Sequence, residues 1–235
     1  AADDAGTVTE DTDVADGKLS DTGTITFDDL DLTDDHTVSV TGDAGNTLGG
    51  TLQALITDTA TGAGNGTVTW TYTIDNALVQ QLGEGDTATE TFTITISDGN
   101  GGSIQQTVTI TITGDGDAPV ITVGNDTGAV EEDGTLVATG NLDATDLDVG
   151  DDPTWTVGTA SYGTVSINAA TGEWTYTLDN THPAVQGLGE GDPLADSFVV
   201  TVTDEDGLTD TRTVNISITG DGDAPVITVG NDTGA

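Results

Sequence analysis

The sequence predicts an all-β protein made of tandem Greek-key β-sandwich domains in an extended array. Three observations carry this. Threonine alternates strictly with apolar β-formers, as in Val68-Thr-Trp-Thr-Tyr-Thr-Ile74 and Thr107-Val-Thr-Ile-Thr-Ile-Thr113. A period of two gives each strand one dry face and one wet face. The acidic residues gather in the turns between these runs instead of forming blocks. Finally, the chain repeats itself. Low hydrophobicity with high net charge would otherwise read as disorder. The patterning instead implies a fold whose charge is compensated by something outside the chain.

The repeat sets the domain plan. The stretch Thr113-Gly-Asp-Gly-Asp-Ala-Pro-Val-Ile-Thr-Val-Gly-Asn-Asp-Thr-Gly-Ala129 recurs unchanged from Thr219 to Ala235, a period of 106 residues. Between the copies, Trp70-Thr-Tyr-Thr-Ile-Asp-Asn76 parallels Trp174-Thr-Tyr-Thr-Leu-Asp-Asn180, and Leu82-Gly-Glu-Gly-Asp86 parallels Leu188-Gly-Glu-Gly-Asp192. Asp29-Leu-Asp31 parallels Asp146-Leu-Asp148. We therefore expect one repeat over 1–115, a second over 116–221, and the linker and first strand of a third over 222–235.

In the second copy the strands are expected at 119–123, 129–131, 135–142, 154–158, 163–168, 173–178, 196–203 and 209–218. Asn168-Ala-Ala-Thr-Gly172, Gly189-Glu-Gly191 and Asp204-Glu-Asp-Gly207 mark turns. Strand 119–123 is assigned to the following domain, since Pro119 after an acidic linker suits the start of a strand. Pro183-Ala-Val-Gln-Gly187 allows one helical turn. The expected core is Trp174, Tyr176, Phe198, Val200, Val202, Val214, Ile216 and Ile218. Its first-copy counterparts are Trp70, Tyr72, Phe92, Ile94, Ile96, Val108, Ile110 and Ile112.

Composition excludes several function classes. A length of 235 residues suits two domains. With 42 acidic residues against two basic ones, the formal net charge is −40. Such a surface cannot neutralise phosphate, so neither nucleic acid nor direct membrane insertion is expected. The absence of Cys removes disulfides and thiolate metal sites. No apolar run approaches a membrane span and no signal peptide opens the chain. The segment reads as cut from a longer array.

The acids stand at strand ends. Asp115 and Asp117 lie in the linker before Pro119, Asp146 and Asp148 follow a strand, and Asp204 sits in the last hairpin turn with Asp206. Alternate loops of an antiparallel sandwich share a pole, so these groups can converge, with Glu10 and Asp75 of the first copy facing them. Carboxylates so gathered repel, and a hard cation with six to eight oxygen ligands relieves that repulsion. Ca2+ is the expected cofactor. Mg2+ fits flexible loops poorly, and Zn2+ lacks Cys ligands. Equivalent positions add Asp29, Asp31 and Asp98 in the first copy and Asp221 and Asp223 in the final linker. The EF-hand spacing and the Gly-Gly-x-Gly-x-Asp roll repeat are both absent.

At these residues a resemblance emerges. Gly163-Thr-Val-Ser-Ile-Asn-Ala-Ala-Thr-Gly-Glu-Trp-Thr-Tyr-Thr-Leu-Asp-Asn180, Pro183-Ala-Val-Gln-Gly-Leu-Gly-Glu-Gly-Asp192, Val200-Thr-Val-Thr-Asp-Glu-Asp-Gly207 and Ile218-Thr-Gly-Asp-Gly-Asp-Ala-Pro225 resemble a VCBS-type repeat. Such repeats form the long central regions of giant bacterial repeats-in-toxin (RTX) adhesins. A more distant likeness is to cadherin repeats. Leu142-Asp-Ala-Thr-Asp-Leu-Asp148 is similar to the cadherin Asp-x-Asp segment, Glu132 to its early Glu, and Leu178-Asp179 to the opening of its Leu-Asp-Arg-Glu. Asp117-Ala-Pro119 is similar to its linker end. Asn180 replaces the Arg, no Glu follows, and the linker lacks the usual Asn residues. The likeness implies Ca2+ between consecutive domains, with Glu132 and Asp179 joining the ligands and one to three ions per junction.

The resemblance implies a structural extender on the bacterial cell surface, exported unfolded by type I secretion and holding an adhesive region outward for adhesion and biofilm formation. Its expected partners are neighbouring repeats of the same chain, with no small-molecule substrate. The alternative is a β-sandwich module that binds carbohydrate or a surface, through Trp155 or the Gly-rich stretch 42–66. An enzyme is not expected, because acid pairs occur everywhere and no nucleophile–base pair is present. His36 and His182 read as solvated loop residues, and Lys18 and Arg212 as surface charges, Arg212 pairing with an Asp.

Overall fold

The computed structural model describes residues 2–31, 33–60, 65–122 and 124–226. The chain divides into two compact units. Unit 1 is Ala1–Asp117 with Leu147–Gly150, and unit 2 is Ala118–Asp146 with Asp151–Ala235. The third repeat expected over 222–235 lies outside the described residues from 227 onward.

Unit 1 holds strands β1 (Ala5–Thr9), β2 (Lys18–Phe27), β3 (Thr37–Gly42), β4 (Thr51–Asp58), β5 (Gly66–Asp75), β6 (Thr87–Ser97) and β7 (Ser103–Thr113). One sheet runs β1-β7-β6-β3 and the other β2-β5-β4. Neighbours are antiparallel except β1, which joins β7 in parallel. Each strand reads as the alternation predicts. In β5, Val68, Trp70, Tyr72 and Ile74 are buried while Thr71 between them is exposed. Ile94, Ile96, Val108, Ile110 and Ile112 meet them from the facing sheet. Fully burying one such side chain is worth about 1.5–3 kcal/mol, and both inner faces are built this way.

Unit 2 holds β8 (Val120–Thr122), β9 (Thr127–Glu131), β10 (Val137–Asn141), β11 (Asp143–Thr145), β12 (Thr154–Val157), β13 (Gly163–Ile167), β14 (Glu173–Leu178), β15 (Pro193–Thr203) and β16 (Thr209–Thr219). The sheet β12-β15-β16-β9 faces β10-β14-β13 across a second core, and β11 pairs with β8. The strand expected over 135–142 is β10, which pairs with β14; β11, just beyond it and not expected from the sequence, pairs with β8. The last hairpin begins at Pro193 rather than 196, because Leu194 continues the inward alternation opposite Ile218. Pro183–Gly187 forms a hydrogen-bonded turn in which Val185 N and Gln186 N donate to the His182 carbonyl. A single 3-10 turn, Asn76–Leu78, follows β5 in unit 1.

Two details explain why the sandwiches close so tightly. The rings of Trp70 and Trp174 lie flat against Gly23 and Gly140, where a Cβ would sit 2.4 and 2.5 Å from the indole. Their Nε1 groups donate to the carbonyls of Asp3 and Asn125 at 2.8 Å. Each core also contains a carboxylate. Glu90 accepts from Tyr72 OH at 2.8 Å and from the backbone N–H groups of Leu48 and Gly49. Asp196 accepts from Tyr176 OH at 2.9 Å and from Ser161, Tyr162 and Ser197 N–H. A buried charge is tolerated only when its oxygens are so saturated. Burial pushes both tyrosine hydroxyls up, and the neighbouring carboxylates push further.

Three expectations are corrected. Trp155 is only 4% exposed and belongs to the unit 2 core, so it offers no platform. It fills the sandwich at a position where unit 1 has the smaller Val38. The His36 side chain is 3% exposed, packed 4.9 Å from the Phe27 ring and joined to Asp29. His182 is half-buried, with its ring edge-on to Tyr162 at 5.1 Å.

Candidate metal centre

Two kinds of acidic arrangement recur. The first is a carboxylate trio at the loops that follow β2 and join β6 to β7. In unit 1, Asp29, Asp34 and Asp98 each place one oxygen within 4.8 Å of the others. Asp29 is held from two sides, by Asp31 N–H on Oδ1 at 2.8 Å and His36 Nε2 on Oδ2 at 2.9 Å. These hydrogen bonds, Asp31 first, hold its carboxyl below the usual range. Asp98 Oδ1 accepts from Asn100 N–H and Gly102 N–H, and Asp34 Oδ2 accepts from Asn100 Nδ2 at 2.9 Å.

Unit 2 repeats the trio as Asp146, Asp151 and Asp204, again within 4.8 Å. Asp204 is 7% exposed; its Oδ1 accepts from Leu208 N–H at 2.8 Å, and its Oδ2 is buried with no hydrogen-bond partner. The two basic side chains are engaged elsewhere, Lys18 with the exposed Asp75 and Arg212 with Asp126. Neither Lys18 nor Arg212 is paired with a trio among the described residues.

The second arrangement surrounds a buried glutamate. Glu10 follows β1, where its own N–H donates to the Thr113 carbonyl. Its Oε1 accepts from Gln80 Nε2 at 2.6 Å and its Oε2 from Asp115 N–H at 3.3 Å. Burial pushes its carboxyl up to about 7; the Asp115 hydrogen bond opposes this, and the Asp117 and Asp11 charges add to it. In unit 2, Glu132 accepts from Gln186 Nε2 at 2.9 Å and from Asp221 N–H at 3.3 Å. Beside each glutamate an aspartate takes the left-handed backbone region, Asp11 at φ 52° and Asp133 at φ 54°. Asn76 and Asn180 pin these residues with reciprocal hydrogen bonds.

The structure thus draws Asp29 and Asp98 into one trio, Asp146 and Asp204 into the other, and ties Asp115 and Asp221 to the two glutamates. Asp31 serves as the backbone support of Asp29. Asp117 N–H donates to Asp148 Oδ2 at 2.8 Å within unit 1. Asp75 is bound by Lys18 instead of joining Glu10. Asp179 accepts from Thr181 through its hydroxyl and N–H, which hold its carboxyl low. Asp223 is exposed. Sequence reading missed Asp34, Asp151, Gln80 and Gln186. The glutamines carried a signal, since they stand 106 residues apart inside matching Val-Gln-x-Leu-Gly segments.

The residues fit a hard cation. Their donors are carboxylate oxygens, the ligand type that Ca2+ takes within a shell of six to eight oxygens. A family model described as "Bacterial cadherin-like domain" matches residues 116–220, which supports a cadherin-like repeat there. Domains of this kind are typically adhesion-related extracellular modules. No curated protein matches the chain. Solved structures to which the chain is similar include Protocadherin Gamma B2 extracellular cadherin domains 1–5, 15% identical over 92% of this chain and 38% of that one, TM-score 0.44. Mouse clustered PcdhgC3 EC1-3 is 15% identical over 92% of this chain and 64% of that one, TM-score 0.43. Drosophila N-cadherin EC1-4 is 14% identical over 83% and 44%, TM-score 0.41. The chain spans less than two thirds of each. Among the described residues no helix is long and apolar enough to cross a membrane.

Proposed function

We propose that this chain is a stalk segment of a large secreted bacterial adhesin of the RTX type. Its cadherin-like repeats bind Ca2+ at their ends, and the ions stiffen the Gly-Asp-Gly-Asp linkers. The stiffened array projects a ligand-binding region from the cell surface for adhesion and biofilm formation. One observation carries the reading: Asp146, Asp151 and Asp204 each place a carboxylate oxygen within 4.8 Å of the others, and Asp204 Oδ2 is buried with no hydrogen-bond partner.

The proposed ligands are these trios, the glutamates Glu10 and Glu132, and linker acids Asp115, Asp117, Asp221 and Asp223, with Asp148 and Asp179 as further candidates. Bound there, Ca2+ supplies positive charge that cancels carboxylate repulsion and fixes loop positions. Extracellular modules of this type bind in the range of about 10⁻⁴ to 10⁻³ M. At roughly 100 times the dissociation constant one site adds about 2.7 kcal/mol, a large share of a domain's stability. The chain is then weakly stable where Ca2+ is scarce and firm outside the cell, which suits export in an unfolded state.

Calcium titration calorimetry and thermal unfolding test this together. Millimolar Ca2+ should raise both unfolding midpoints above those in chelator, and solution scattering should show a narrower range of lengths with Ca2+. Midpoints that coincide with and without Ca2+ would remove the reading.

A further inference from the structure

We infer that Asn100 is a self-modifying position, losing its side-chain ammonia to become a carboxylate in the folded protein. The chain contains two Asn-Gly pairs, Asn65-Gly66 and Asn100-Gly101. The sequence makes them chemically equivalent, and the fold separates them.

Asn100 occupies the tip of the turn between β6 and β7, which closes at the Ser97–Ser103 pair. It is exposed to water. The turn is closed by the Asp98 carboxylate, which accepts from Asn100 N–H and Gly102 N–H, and by Ser97 and Asp98, which donate to the Gly102 carbonyl; no hydrogen bond of Gly101 N–H is among these. Gly101 takes φ +109°, and nothing lies within 4 Å of where its Cβ would be. Glycine has the widest backbone freedom of any residue, so the Gly101 nitrogen is free to approach the Asn100 Cγ. Gly66, by contrast, heads β5, is buried, and pairs with Phe27 across the sheet. A Cβ on Gly66 would sit 2.3 Å from the Phe27 ring. The aromatic ring and the strand pairing hold the backbone still, and attack on Asn65 requires it to rotate.

The reaction needs only water. The Gly101 backbone nitrogen gives up its proton and bonds to Asn100 Cγ. The Cγ–Nδ2 bond breaks, and Nδ2 leaves as ammonia with the proton returned to it. The five-membered imide then adds water across one of its two carbonyl–nitrogen bonds, giving aspartate or isoaspartate. The net change is amide plus water to acid plus ammonia, with no change of oxidation state.

The location gives the change a consequence. Asn100 Nδ2 donates to Asp34 Oδ2 at 2.9 Å, and Asp34 belongs to the trio with Asp29 and Asp98. Conversion removes that donor and sets a fourth negative charge beside the trio. At the 106-residue period, Asp98-Gly-Asn-Gly101 corresponds to Asp204-Glu-Asp-Gly207, so the second repeat encodes an aspartate, Asp206, at this position. The modification gives the first repeat the carboxylate its neighbour has from synthesis. The chemistry does not depend on the Ca2+ reading.

The test is peptide mass mapping of the intact chain aged at neutral to mildly alkaline pH, with enzymatic labelling of isoaspartate. The amide-to-acid mass shift should build up at Asn100 several-fold faster than at Asn65. In denaturant the two rates should converge, because only the fold distinguishes them. The Asn100→Gln variant, whose longer side chain would need a six-membered ring, should lose the shift at position 100 while Asn65 reacts as before. Native rates at Asn65 equal to or above those at Asn100, or no shift at Asn100 while the denatured chain reacts, would overturn the inference.

Discussion

Gln80 Nε2 donates to Glu10 Oε1 at 2.6 Å, and Gln186 Nε2 makes the same bond to Glu132 Oε1 at 2.9 Å. In both repeats the other glutamate oxygen accepts from the backbone of the outgoing linker, at Asp115 or Asp221. A carboxamide in the loop after the Tyr-bearing strand thus aims a buried carboxylate at the linker. The charge state of that carboxylate bears directly on how the repeat ends.

This yields a pH dependence for unit 1. Burial raises the Glu10 carboxyl from 4.5 to about 7 in the folded chain. The folded state then binds the proton more tightly than the unfolded state, so its stabilisation is full below about pH 4.5 and is lost as pH rises through about 7. In chelator, the unfolding free energy of unit 1, followed by Trp70 fluorescence, should fall across that window by about 1–3 kcal/mol, the lower end allowing for solvent screening of the carboxyl. Glu10→Gln should flatten the profile. An equal slope in the variant would show that another group is responsible.

Asp204 leads to a test of charge crowding. Its oxygen lies within 4.8 Å of oxygens from Asp146 and Asp151. Like charges at that distance repel by about 1 kcal/mol in bulk water and about 3.5 kcal/mol at the effective dielectric of a protein surface. Asp204→Asn retains the acceptor for Leu208 N–H. Without divalent cations the variant should be more stable than the parent, and with Ca2+ it should gain less. Calorimetric unfolding in both buffers measures the two differences. A variant less stable in both would mean that Asp204 is held by something other than a cation.

The sequence made the strands and the core legible because both rest on a period of two. Every predicted core residue from Trp70 to Ile218 is buried. Strand β11 was hidden, since its three residues are too few for alternation to show. The acidic ends were legible as a class, because the repeat returned Asp-x-Asp at matching places. Asp34 and Asp151 were hidden because their loops are brought back by turns that carry no periodic signal. The core carboxylates Glu90 and Asp196 were hidden for another reason: a charge in an inward position reads as an interruption until its donors from a distant loop are seen.

Gly140 supports a packing prediction. A Cβ there would sit 2.5 Å from Trp174 Cζ2 and 2.6 Å from Cε2. Gly140→Ala must push the indole away from the Asn125 carbonyl that its Nε1 bonds. The expected loss is about 1–3 kcal/mol in unit 2, with Trp174 emission shifted to the red, and urea unfolding measures it. Unit 1, reported by its own transition, should be unaffected.

The Asp196 clamp allows the sharpest separation of folding contributions. Four donors converge on its two oxygens, from Ser161, Tyr162 and Ser197 N–H and from Tyr176 OH. Burial disfavours its charge, but those hydrogen bonds outweigh burial and hold the carboxyl below its usual 3.8. With the folded value depressed, the stabilisation is present above pH 3.8 and is lost as pH falls through the folded value. Asp196→Ala strands all four donors and should cost about 3–5 kcal/mol. Tyr176→Phe removes one donor and should cost about 1–2 kcal/mol. Asp196→Asn keeps the shape, sets an amide N–H against donors, and should lie between the two while losing the acid-induced drop below pH 3.8. Urea unfolding of unit 2, followed by Trp155 and Trp174, gives all three values. An Asp196→Ala chain within about 0.5 kcal/mol of the parent would mean that water replaces the carboxylate and that the loop at Ser161–Tyr162 is held by its own turn.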